Sequence, residues 1–212
     1  MASLLTSALS SLSVFTNEDL REPELHIIGE IIGASRLDPN GRLAENAFCA
    51  WELKTGRYWQ CVGGQESGQT QADYPASLDE ADAGGALTVW NHPMDVHYFA
   101  KTLEGWPRIS LEVWQLDSFG GKQILGYGFA HVPFAPGCHE LDVALWRPCG
   151  TAREEMAEFF LQQAPQLIDR AVVHSSAKAK EDRHRLTTKA AGTVHLRLDI
   201  VARNFAQHGV QG

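Results

Sequence analysis

Residues 105–133 read GWPRISLEVWQLDSFGGKQILGYGFAHVP. Here Ile109, Leu111 and Val113 alternate with Ser110, Glu112 and Trp114, the period of two that marks a half-buried strand. Asp117-Ser118-Phe119-Gly120-Gly121 then supplies turn chemistry, and an apolar-rich strand resumes from Leu125 to Val132. Two such runs around a polar, glycine-bearing turn predict a hairpin. With no catalytic group in an evident role, it points to an antiparallel β-sandwich whose work is binding.

Towards the N-terminus, Leu25–Ile32 (LHIIGEII) predicts a strand after Arg21-Glu22-Pro23, because the residue before proline is pushed out of helical space. Phe48–Leu53 and Arg57–Val62 flank Lys54-Thr55-Gly56 and read as a second hairpin. Leu87–Trp90 and Asp95–Ala100 read as short strands interrupted at His92-Pro93, where proline predicts an edge or a bulge. Gly33–Glu45 and Gly63–Gly85 read as loops, the second carrying Asp79, Glu80 and Asp82.

Towards the C-terminus, Leu141–Trp146 predicts a strand. Thr193–Ala202 alternates strictly, with Val194, Leu196, Leu198 and Ile200 on one face and His195, Arg197 and Asp199 on the other. Thr151-Ala152-Arg153-Glu154 has capping-box spacing and predicts one short helix to Gln163, with Met156, Phe159 and Phe160 on its apolar face. The expected class is all-β: an antiparallel β-sandwich of about eight strands with Greek-key connections and one short helix inserted late in the chain.

The chain of 212 residues fits one domain with decorations, and 44% hydrophobic with 21% charged residues is an ordinary globular composition. A formal charge of −8 argues against a nucleic-acid surface. Cys49, Cys61, Cys138 and Cys149 form no C-x-x-C pair, which disfavours zinc. No asparagine begins a glycosylation sequon, so the cysteines read as reduced thiols of a cytosolic protein. No apolar run reaches the length of a membrane-spanning helix. Residues 1–23 read as an extension, either weakly ordered or a short amphipathic helix on Leu5, Ala8, Leu9 and Leu12. No Lys or Arg precedes Arg21, so the basic region of a signal peptide is missing.

His92, Asp95 and His97 come nearest to a metal set, since Asp95 and His97 share a face if the segment is a strand. Such strand residues read more simply as surface groups, and no metal is assigned. Ser67 lies in GQESG, which is not the G-x-S-x-G elbow, and no phosphate-cradling glycine loop occurs. No catalytic residue and no cofactor is expected. Lys178, Lys180, Arg183 and Arg185 form a basic run that reads either as a solvated loop or as a lipid contact, at about 1 kcal/mol per basic side chain. Trp106 and Trp114 read either as packing beneath loops or as partner anchors.

LHIIGEIIGAS (25–35), FCAWELKTGRYWQ (48–60), GQESGQTQ (64–71), WNHPMDVHY (90–98), the stretch 105–137, WRPCG (146–150) and GTVHLRL (192–198) resemble the B9-domain family. The resemblance implies a C2-like β-sandwich domain over residues 24–210, in a non-enzymatic scaffold subunit of the ciliary transition zone. That assembly is the tectonic-like, or Meckel syndrome, complex, which supports cilium assembly and a membrane diffusion barrier. The implied partners are other B9-domain proteins in a ring of three, with tectonic-complex subunits and γ-tubulin. The implied location is cytoplasmic and cytoskeletal, at the transition zone and basal body of the cilium base.

In this setting Trp106 and Trp114 become the expected partner-binding residues. The alternative is a calcium-independent, peripheral lipid-binding module using Lys178, Lys180, Arg183 and Arg185. Calcium-binding C2 domains gather several aspartates from two loops, but here the matching positions offer only Asp38 and Asp117, with Gln115 at the other acidic position. That is too few hard oxygens for Ca²⁺. Residues 1–23 and 76–86 depart from the family pattern.

Overall fold

The computed structural model describes residues 22–37, 46–73, 87–116, 120–150, 156, 166–167, 173 and 186–205. These residues form nine strands: β1 (Glu24–Ser35), β2 (Ala47–Lys54), β3 (Trp59–Gly64), β4 (Ser67–Gln69), β5 (Leu87–Ala100), β6 (Arg108–Leu116), β7 (Lys122–His131), β8 (Gly137–Pro148) and β9 (Thr188–Arg203). Every pairing is antiparallel, in the order β3-β5-β1-β9-β8-β7-β6-β2-β4. β7 and β8 share a single pair, Tyr127 with Trp146, so the sheet curls there. The result is two layers, β3-β5-β1-β9-β8 and β7-β6-β2-β4, in the expected sandwich.

Alternation builds the interior. Leu25 and Ile27 of β1, Val96 and Tyr98 of β5, Ile109, Leu111 and Val113 of β6 and Leu196, Leu198 and Ile200 of β9 are all at most 1% exposed and belong to one core cluster. Trp90 of β5 reaches across the layers, and its Nε1–H donates to the Ala47 carbonyl at 3.0 Å. Gly126 and Gly128 of β7 make room for β8: a Cβ at Gly128 would lie 2.9 Å from the Leu145 side chain.

The expected β2–β3 hairpin does not form. β2 pairs with β6 and β4, whereas β3 pairs with β5 at the far end of the order. Lys54-Thr55-Gly56 instead carries the chain between layers, and the Gly56 N–H donates to the Gly105 carbonyl at 2.8 Å. Ser67–Gln69, expected in a loop, is an edge strand on β2. Leu87–Ala100 is one strand rather than two. β3 covers β5 only from Val96 to Ala100, so Pro93 falls where β5 is a sheet edge, as its missing N–H requires. Higher on that edge, the Val89 N–H donates to the Asp73 carboxylate at 3.0 Å.

Of the connection from β8 to β9, Leu167 and Val173 lie on the outer face of β6 and β7. Val173 is buried with Ile124 and Tyr127, and the Leu167 N–H donates to the Tyr127 hydroxyl at 3.2 Å. Of the helix expected from Thr151 to Gln163, Met156 alone is among the described residues; its backbone is helical and its side chain 62% exposed.

Candidate partner interface

Trp114 stands on the outer face of β6, opposite in direction to Ile109, Leu111 and Val113, as its place in the alternation demands. It is half-buried against Ile124, Tyr127 and Val173, beside Phe129 and Trp146. Its Nε1–H points to the Glu112 carboxylate at 3.3 Å. Val173 belongs to the cluster that covers part of the ring, and the rest of the ring is accessible. A groove of about 420 Å³ continues this face, bordered by Ala50, Glu52, Ser67, Gln69, Ser110 and Glu112. Beneath Gly68, the Trp51 Nε1–H is buried with no acceptor among the described residues.

Trp106 sits at the opposite end of β6. Its indole packs edge-on against Trp59, with centroids 5.2 Å apart, and donates through Nε1–H to the Val132 carbonyl at 2.8 Å. Phe134, 41% exposed, also packs on it at a tilt, with centroids 4.8 Å apart. Trp106 is thus a half-buried clamp between the entry to β6 and the exit from β7, with Phe134 as its exposed companion. The structure does not bring Trp106 and Trp114 into one site.

The three metal-like residues separate as well. Asp95 and His97 face outward on β5, but His92 faces inward against the Trp51 ring, with centroids 6.2 Å apart. Asp95 accepts from or pairs with His26 at 2.7 Å, and His97 lies 3.6 Å from Glu24. Burial lowers the His92 pKa from its ordinary 6.5. The fold therefore prefers the neutral imidazole, and on acidification the unfolded chain takes up this proton first. More protons bound by the unfolded state means stability is lost as pH falls below the ordinary value. His92→Gln is expected to flatten the loss of melting temperature between about pH 7 and pH 5. Parallel curves for the two proteins would contradict this role.

Sequence reasoning missed the outer face of β1, β9 and β8, because its neighbours come from strands far apart in the chain. Ser35 Oγ lies 2.9 Å from His195 Nε2, and His195 Nδ1 lies 2.6 Å from Asp142 Oδ1. The order is that of a Ser-His-Asp relay, but the Asp142 side chain is 77% exposed and the row lies on an open sheet face. A solvated carboxylate there does not build the water-excluded site that such a relay needs. The row works as a clip across three strands. Arg197 makes a similar bridge from β9 to Glu30 at 3.1 Å and to Glu140 at 3.5 Å. Among the thiols, burial pushes Cys49 up, and a hydrogen bond to Asp199 raises exposed Cys138, so neither is primed as a thiolate.

Lys178, Lys180, Arg183 and Arg185, together with Asp38, Asp117 and Asp79, lie outside the described residues. Gln115 pairs with Gln123 in the β6–β7 ladder.

Comparison with known proteins gives the relationship. The family model described as "B9-C2: Ciliary basal body-associated, B9 protein" matches residues 25–201. Human B9 domain-containing protein 2 is 44% identical over 188 residues, 89% of this chain and 98% of the relative. Its Drosophila melanogaster counterpart is 28% identical over 189 residues, with the same shares covered. Human B9 domain-containing protein 1 is 30% identical over 166 residues, 78% of this chain and 77% of the relative. Among solved structures, the C2A domain of a plant extended synaptotagmin 1 aligns with TM-score 0.39 and 12% identity, covering 85% of this chain and 95% of that domain. The matched residues run from β1 into β9 and include Trp114, Ser35, His195 and Asp142, and the chain belongs to the B9-C2 family of ciliary basal body-associated proteins.

Proposed function

We propose that this chain is a non-enzymatic scaffold subunit at the cilium base, holding other B9-domain proteins in the tectonic-like complex of the transition zone. Its mechanism is burial of outward aromatic side chains against partner domains, with Trp114 and, separately, Trp106 beside Phe134 as anchors. The observation that carries this reading is the half-covered Trp114, bordered by Phe129, Trp146 and an acid-rimmed groove on the outer face of the sheet. Tryptophan in such a setting supplies large contact area at small entropic cost, which is why it recurs among interface hot spots. The relationship to both B9 domain-containing protein 1 and protein 2 supports a B9 partner. Other tectonic-complex subunits and γ-tubulin are the further contacts of this proposal.

Trp114→Ala is expected to weaken co-purification with a co-expressed B9 domain-containing protein 1 by about tenfold or more, the scale of a hot-spot residue. Trp114→Phe, which keeps the contact with Ile124 and Tyr127, serves as the folding control. Undiminished capture by Trp114→Ala would contradict the anchor role. The competing lipid reading makes the opposite forecast: flotation with anionic vesicles that is lost when Lys178, Lys180, Arg183 and Arg185 are replaced by Gln.

A further inference from the structure

The outer face of β3-β5-β1-β9 carries a stripe unlike the rest of the described surface. Val62 lies in the β3 bulge beside the Gly63–His97 pair, His97 pairs with His26, and His26 pairs with Val201. Four strands thus contribute one continuous row, about 14 Å across at the usual strand spacing. Ile28 lies diagonally next to Val201, and Phe99 packs on His97 with centroids 5.5 Å apart. The aliphatic members are well exposed: Ile28 41%, Val62 47% and Val201 54%. Leu87 and Val89 expose 44% and 41% on the same face of β5 but near its start, beyond the stripe, so the stripe itself holds three of the eight large apolar side chains exposed among the described residues. Exposed apolar groups concentrated in this way mark an interaction surface.

Charge identifies the occupant. Glu24, Glu30, Asp95, Glu140, Asp142 and Asp199 border the row and its extension to β8, against Arg197 and Arg203. The excess is acidic. A second copy laid face to face would set this acidic rim against itself, and an anionic membrane would be repelled. A protein face with an aliphatic centre and a lysine- or arginine-rich rim is complementary on both counts.

We propose that the Val62–His97–His26–Val201 stripe is a second docking face, distinct from the Trp114 face, for a protein partner with a basic rim. This rests on the scaffold reading and deepens it: the two faces, on opposite layers, are both needed for full capture of a B9 partner.

The test uses the full chain with co-expressed B9 domain-containing protein 1, and Ile28→Ser/Val201→Ser beside Trp114→Ala. Both serine sites are exposed on strand surfaces, so the double variant is expected to melt within a few degrees of the parent. Loss of capture by about tenfold or more in the double variant, together with weaker capture at 300 mM than at 50 mM salt, supports the proposal. Normal capture by the double variant, with loss confined to Trp114→Ala, overturns it and leaves the scaffold reading standing. No complex with the parent chain overturns both. Light scattering on the isolated chain addresses the other occupant: a dimer that the double variant dissolves means a second copy uses this face, and the proposal falls.

Discussion

Trp90→Ala is expected to cost about 3–5 kcal/mol of folding stability, the range for deleting a large buried aromatic. Trp90 is 1% exposed and lies between the layers, where its ring replaces contacts that no neighbouring strand can supply. Its hydrogen bond is the smaller part. The Ala47 carbonyl that accepts from Trp90 Nε1 also accepts from the Asp73 N–H at 3.0 Å, so it keeps a partner when the indole goes. Trp90→Phe is therefore expected to cost much less, about 0.5–1.5 kcal/mol for the lost hydrogen bond plus modest repacking. Urea denaturation of the two variants separates packing from hydrogen bonding. Equal losses would show that the indole N–H, and not the ring, holds the layers together. Since domains are stable by only about 5–15 kcal/mol, the alanine variant loses a large share of its margin.

Gly105→Ala is the second severe change. Gly105 has φ of 76°, a backbone region that L side chains rarely adopt, and a Cβ there would lie 2.3 Å from Gly56 Cα and 2.6 Å from Gly56 N. Both obstacles are backbone, so neither can rotate aside. Relief requires separating the two segments, which breaks the bond from the Gly56 N–H to the Gly105 carbonyl. The expected loss is about 2 kcal/mol or more, from strain alone. Gly56→Ala provides the comparison: its Cβ would meet the Glu104 carbonyl oxygen at 2.7 Å and Gly105 Cα at 2.9 Å. The clash is milder, so thermal melting is expected to rank Gly105→Ala below Gly56→Ala. The reverse order would contradict this account of the β2–β3 and β5–β6 crossing.

That crossing also shows what the sequence could and could not convey. Alternation in β6 and β9 was legible because each strand buries one face, and period two survives any topology. Lys54-Thr55-Gly56 was misleading for the same reason it was recognisable. Its turn chemistry is local, whereas the partners of β2 and β3 are chosen by burial across the sandwich. Ser67–Gln69 carries no apolar pattern because an edge strand of three residues needs only backbone pairing with β2. Pro93 was readable as an edge signal, but not that the strand continues through it. At the candidate interface, the outward direction of Trp114 followed from counting residues. The packing of Leu167 and Val173 on the same cluster did not, since those lie 53 and 59 residues further along the chain and no period links them. The Val62–His97–His26–Val201 row was invisible in the sequence, being assembled from four strands by register alone.

On the proposed function, this chain binds a second B9 domain. Size-exclusion chromatography with light scattering on the chain co-expressed with B9 domain-containing protein 1 tests it most directly. A single peak at the summed mass, converted to separate species by Trp114→Ala, is the predicted result. Two independent monomer peaks from well-folded parent proteins would contradict the claim.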